Sequence, residues 1–136
     1  MTSGYSGTPL PQKLGIREGQ VVAVLRAPAD FGATLGALPV GVTMRRALGT
    51  GALDLIIAFV KRRSELERDV ATCRKRMTGA ASLWIAWPKR SSGIATDVTE
   101  NLLREVILPT GLVDNKVCAI DETWSGLRFV IRKELR

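Results

Sequence analysis

Three short, nearly uninterrupted apolar runs constrain this chain more than any other feature. They are Val21-Val22-Ala23-Val24-Leu25, the run from Asp54 through Leu55-Ile56-Ile57-Ala58-Phe59-Val60, and Ala81-Ser82-Leu83-Trp84-Ile85-Ala86-Trp87. Runs this short, without apolar–polar alternation, read as strands buried on both faces. Such strands need helices above and below a mostly parallel sheet. Val42 to Ala47 alternates more and predicts a less buried strand near an edge. Lys116 to Ile120 and Gly126 to Ile131 predict two final strands, and the short Asp121–Ser125 link between them fits an antiparallel hairpin.

Helices are expected between these strands. A short one falls between Ala29 and Leu38, using Phe31, Leu35 and Leu38, with Gly32 and Gly36 weakening it. A longer one opens at Ser64-Glu65-Leu66-Glu67, where Ser64 and Glu67 have capping-box spacing. Its apolar face is Leu66, Val70, Cys73 and Met77, and Arg74, Lys75 and Arg76 crowd its last turn, where cations complement the helix dipole. A third starts near Thr96-Asp97, carries Val98, Leu102 and Val106, and stops at Pro109. Strands separated by helices imply right-handed crossovers, so the pattern predicts one three-layer α/β domain of about six strands over residues 21–136. Residues 1–20, with Gly4, Gly7, Pro9, Pro11, Gly15 and Gly19, read as an irregular arm pinned by Leu10, Leu14 and Ile16. Trp84 and Trp87 are expected to share one face of their strand and pack under a helix.

Composition removes several function classes. The chain has no histidine, which excludes the Ser-His-Asp triad and every His-containing zinc site. Two cysteines cannot make a zinc ligand set, so no metal is expected; Cys73 in a helix and Cys118 in a strand read as reduced, buried thiols. No apolar run is long enough to span a bilayer, and Met1 to Tyr5 lacks the basic start of a secretory signal. A cytoplasmic location without membrane contact is the expectation. Twenty Lys and Arg against 13 Asp and Glu give a net charge of +7, which favours anionic partners by long-range attraction.

The strand–helix–strand–helix run closed by a hairpin, led in by Lys13-Leu14-Gly15-Ile16-Arg17-Glu18-Gly19-Gln20 before Val21, resembles the Rossmann-like methyltransferases in shortened form. Tyr5 to Leu10, Leu83 to Lys89, Thr96 to Glu100, Val113 to Cys118 and Trp124 to Arg128 are similar to a bacterial family known only as a domain of unknown function. The methyltransferase resemblance implies a glycine-rich turn after the first strand and an acidic residue ending the second. Here the first strand runs into Arg26-Ala27-Pro28-Ala29-Asp30, without glycine, and the second ends in Ala47-Leu48-Gly49, without an acid. The helix–strand–helix stretch expected before Asp54 is also missing. These departures argue against an intact S-adenosylmethionine site, so no cofactor is expected and a non-catalytic role is favoured over an enzymatic one.

In open α/β sheets ligands bind beyond the carboxyl ends of the strands, where the strand order reverses. That rule places Arg26, then Lys61 and Arg62, then Lys89 and Arg90 on one rim, with Trp124 beside them as an exposed aromatic. The expected function is a non-catalytic binding or regulatory domain whose basic crevice takes an anionic ligand such as a nucleotide or nucleic acid. A divergent S-adenosylmethionine-dependent methyltransferase is the first alternative. A structural or assembly protein, homodimeric or nucleic-acid-binding, is the second. Asp114, Asp121 and Glu122 read as turn caps rather than catalytic carboxylates. Tyr5, in the arm, is expected either to cover the rim or to reach a second subunit.

Overall fold

A computed structural model describes residues 7–136 of the chain; Tyr5 and the glycine at position 4 lie outside the described residues. The three apolar runs become β1 (Val21–Leu25), β3 (Leu55–Phe59) and β4 (Ser82–Pro88), and β3 and β4 are buried along their whole lengths. The edge strand is β2 (Thr43–Arg45), shorter than its sequence pattern implied. The closing hairpin is β5 (Leu112–Ala119) and β6 (Trp124–Ile131), and both strands are longer than expected. β5 lacks an apolar run because it lies at the sheet edge, where most of its residues are partly or fully exposed and a bulge separates Asp114 from Lys116.

Among the described residues the six strands form one sheet in the order β2-β1-β3-β4-β6-β5. β2, β1, β3 and β4 are parallel; β6 runs antiparallel to β4 and to β5. The result is the expected mainly parallel sheet ending in an antiparallel hairpin.

Helices cover both faces. α3 (Arg63–Arg76) and α4 (Glu100–Ile107) lay Leu66, Val70, Cys73, Leu103 and Ile107 over one face. α1 (Leu10–Leu14) and α2 (Phe31–Leu35) close the other through Leu14, Phe31 and Leu35. α1 lies inside the segment expected to be irregular. Prolines at its start pre-set the helical φ, and Gly15 ends it at φ 85. Leu14 and Ile16 are buried, as pins should be. The indole N–H of Trp84 donates to the Leu14 carbonyl at 2.8 Å, fastening α1 to the middle of the sheet.

Trp84 and Trp87 are both in the core, but on opposite faces: Trp84 packs with Leu14 and Trp124, Trp87 with the α3–α4 layer. They are three residues apart, and side chains on a strand share a face only at even spacing. The start of α3 also differs from expectation. Glu65, not Ser64 and Glu67, caps it: its Oε1 accepts the backbone N–H groups of Lys61 (2.8 Å) and Arg62 (3.2 Å). Asp97 Oδ1 accepts the Arg63 N–H at 2.8 Å from across the fold. Thr96-Asp97 therefore serves α3, and α4 starts later, capped by the Thr99 hydroxyl on the Leu102 N–H. Among the described residues, no helix is long and apolar enough to cross a membrane.

Candidate functional site

Chain connections leave β1 toward β2 on one side and toward β3 on the other, so the strand order reverses at β1. A crevice opens at the carboxyl ends of these strands, as it does in other open α/β sheets. It has two lobes that share Arg26, Ala27 and Pro28. The larger, about 520 Å³, lies against the ends of β1 and β2 and is walled by Val24, Phe31 and Met44, with Arg45 and Arg46 at its rim. The smaller, about 310 Å³, is lined by Phe59, Lys61, Glu65 and Trp124. Phe31, Phe59 and Trp124 pack edge to face in series, with ring centroids 5.0 Å apart at each step, and form an apolar floor.

Arg26 sits at the junction. It has φ 57, a left-handed conformation rare for a residue with a side chain. The turn after β1 thus adopts a glycine-like backbone although glycine is absent. The Arg26 guanidinium grips Asp69 of α3 through both terminal nitrogens, Nη2 to Oδ1 at 3.0 Å and Nη1 to Oδ2, and lies 3.8 Å from Glu65. The hydrogen bond to Asp69 raises the arginine's pKa above its ordinary value. Glu65 is held below the usual carboxylate range, first by the Lys61 N–H, then by the Arg62 N–H and the Arg26 charge. One guanidinium against two carboxylates leaves the trio with a single net negative charge. Arg26 is therefore not a free anion anchor.

The other expected site residues separate. Lys61 lines the smaller lobe. Arg62 is the exposed N-cap of α3, outside the lining of both lobes. Lys89 and Arg90 follow β4 on the same rim, beyond both lobes; the Lys89 N–H is tied to the Thr123 carbonyl at 2.8 Å. Trp124 is 6% exposed and begins β6, so it seals the sheet end rather than presenting an exposed ring. Its placement on the rim follows from β5 running parallel to β4, with the hairpin turn at the same end.

Two features of the site escaped the sequence reading. Arg46 at the rim of the larger lobe was read only as part of a strand, and Asp69 lies four residues from Glu65 on the face beside Val70, a spacing that was visible. Asp121 is a turn cap, its Oδ1 accepting the N–H groups of Thr123 and Trp124, both at 2.8 Å. Asp114 instead pairs with Arg104 at 3.2 Å. Cys73 and Cys118 are unpaired and buried, and burial pushes the Cys73 thiol up to about 12. Among the described residues no three Cys, Asp or Glu side chains converge as a metal would require.

No protein-family model matches the sequence, and no curated protein matches it. Among solved structures the chain is similar to a SAM-dependent methyltransferase from Aquifex aeolicus, with TM-score 0.65, 12% identity, and coverage of 96% of this chain and 90% of that one. It is similar to DhpI in a complex with SAH, with TM-score 0.60, 11% identity, and coverage of 95% and 85%. It is also similar to a TehB-like SAM-dependent methyltransferase from Corynebacterium glutamicum, with TM-score 0.58, 10% identity, and coverage of 90% and 85%. At these identities the likeness is one of architecture: the chain has the Rossmann-like fold of methyltransferases, in a compact six-stranded form.

Proposed function

We propose that this chain is a divergent S-adenosylmethionine-dependent methyltransferase that holds its cofactor in the larger lobe, at the carboxyl ends of β1 and β2. The observation that carries this reading is the internal neutralisation of Arg26. The residue expected to make the crevice an anion site is consumed by Asp69 and Glu65, and Glu65 puts a carboxylate on the wall of the smaller lobe, beside the junction, where it suits a cationic sulfonium. The volume suits a cofactor of this size, and Val24, Phe31 and Met44 suit an adenine ring. The left-handed turn at Arg26 brings the backbone to the crevice as a glycine would. The carboxylate that would hold ribose hydroxyls at the end of β2 is not there; Arg45 and Arg46 occupy that place, and Arg45 spends its guanidinium on the carbonyls of Leu48 (3.3 Å) and Thr50 (2.8 Å). Ribose contacts must therefore come from elsewhere, which is the divergence.

When bound, S-adenosylmethionine supplies an activated methyl group on sulfur. The chain's own residues then have three tasks: to wall off water with Phe59 and Trp124, to hold Glu65 ionised at the junction, and to admit an acceptor past Lys61. Membership of the bacterial family of unknown function and a cytoplasmic setting belong to the same proposal, supported by the strings named above and by the two reduced thiols.

The second reading, a non-catalytic domain for a nucleotide or another anion, is favoured by Arg46 and Lys61, which line the lobes without a carboxylate partner among the described residues. Isothermal titration separates the two. Micromolar S-adenosylmethionine affinity, about −8 kcal/mol, is expected, with ATP binding far more weakly. Gly32 faces the larger lobe with open space at its Cβ position, so Gly32→Phe should fill the lobe without disturbing α2 and weaken binding at least about tenfold. No heat with S-adenosylmethionine at millimolar concentration overturns the proposal, and tight ATP binding instead supports the second reading.

A further inference from the structure

We propose that Arg128, Lys116, Arg17 and Lys13 form a second ligand site, for a phosphate group, where α1 meets the β5–β6 hairpin. The site lies on the sheet face that carries α1. Arg128 is the cross-strand partner of both Trp84 and Lys116, and Lys116 Nζ reaches the Lys13 carbonyl at 2.6 Å. Arg17 follows α1 by three residues. Arg128 and Lys116 thus occupy paired strand positions, and Lys13 and Arg17 flank them from α1 and the turn after it, on the far side of β4 from the crevice over β1 and β2.

Their electrostatics are incomplete. Arg26, Arg63, Arg104 and Arg132 each have a carboxylate within ion-pair distance, whereas these four have none among the described residues. Arg128 is the sharpest case. Its Nε is shielded from solvent and lacks a hydrogen-bond partner among the described residues, and its Nη1 makes a long hydrogen bond, 3.4 Å, to Asn115 Oδ1. Burial lowers the arginine's pKa, and the neighbouring Arg17 charge lowers it further. A guanidinium partly withdrawn from water without a counter-charge carries a cost, and a shielded Nε–H left unpaired adds to it. A phosphate offers several acceptors to a planar fork and one or two negative charges to the surrounding lysines, so it meets both deficits.

That phosphate can be a free small anion or one unit of a nucleic-acid backbone, and two measurements distinguish the sources. Fluorescence anisotropy of a short labelled single-stranded RNA is recorded against salt, with inorganic phosphate as competitor. The expected result is binding that Arg17→Gln/Lys116→Gln weakens at least about tenfold, with the slope of log affinity against log salt reduced by roughly 1.4. Lys61→Gln/Lys89→Gln, on the crevice rim, should leave this binding unchanged, so failure here is separate from failure of the cofactor reading. Displacement of the RNA by millimolar phosphate identifies a discrete small-anion site, and retention identifies a backbone track. Thermal melts confirm that both variants fold, since Arg17, Lys116 and Lys61 are exposed. The proposal is overturned if Arg17→Gln/Lys116→Gln binds like the parent, or if the parent binds neither RNA nor phosphate.

Discussion

At Arg26 two energies oppose each other. Its left-handed φ costs roughly 1–2 kcal/mol, and a glycine would remove that strain. Its guanidinium, however, is the counter-charge for Asp69, whose side chain is only 8% exposed. Removing one partner of a buried pair costs about 3–5 kcal/mol, less here because the arginine side chain is 33% exposed. Arg26→Gly is therefore expected to lower stability by roughly 1–3 kcal/mol, and adding Asp69→Asn should restore part of it; a denaturant double-mutant cycle measures the coupling. Glu65 gives a pH signature. Its folded pKa is depressed, so its stabilisation is present above the carboxylate range and is lost as pH falls through the folded value. Glu65→Gln should cost about 0.5–2 kcal/mol at pH 7, a deficit that closes in acid melts as pH falls below the usual carboxylate range and through the depressed folded value. The sequence already put Arg26 on the rim, because an apolar run ending in a cation marks a strand end. It did not reveal that the cation is spent on α3, since that pairing depends on how the helix docks.

At the scale of elements, the buried strands were the legible part. β1 matched its run, and β3 and β4 fell within a residue of theirs, because a strand covered on both faces must be apolar throughout. The hairpin was less legible: β5 is exposed and bulged, so its residues are not chosen by burial. α4 was expected too early because Thr96 and Asp97 look like its N-cap, whereas they tie down the start of α3: the Thr96 hydroxyl donates to the Lys61 carbonyl and Asp97 accepts the Arg63 N–H. Gly126 shows how β6 fits β4. A Cβ there would meet Trp84 Cε3 at 3.1 Å, Ile120 Cδ1 at 3.3 Å and the Cys118 carbonyl oxygen at 3.4 Å. Gly126→Ala should therefore destabilise by about 1–3 kcal/mol through overpacking, read as a lowered melting temperature with unchanged secondary structure.

For the molecule as a whole, a parallel sheet with a strand-order reversal at β1 puts the ends of β1, β2, β3 and β4 on one rim and opens a crevice there. That much followed from the strand and helix pattern. The pairing of Arg26 inside the crevice did not, because it depends on carboxylates of α3 that reach the rim only once the helix has packed through Leu66, Val70 and Cys73. The account's central claim is that this crevice, in its larger lobe, receives an adenosyl cofactor. Hydrogen–deuterium exchange with and without S-adenosylhomocysteine tests it most directly. The expected result is protection confined to residues 25–36 and 44–46, with the β5–β6 hairpin unchanged; identical exchange in both states, or protection only at the hairpin, would contradict it.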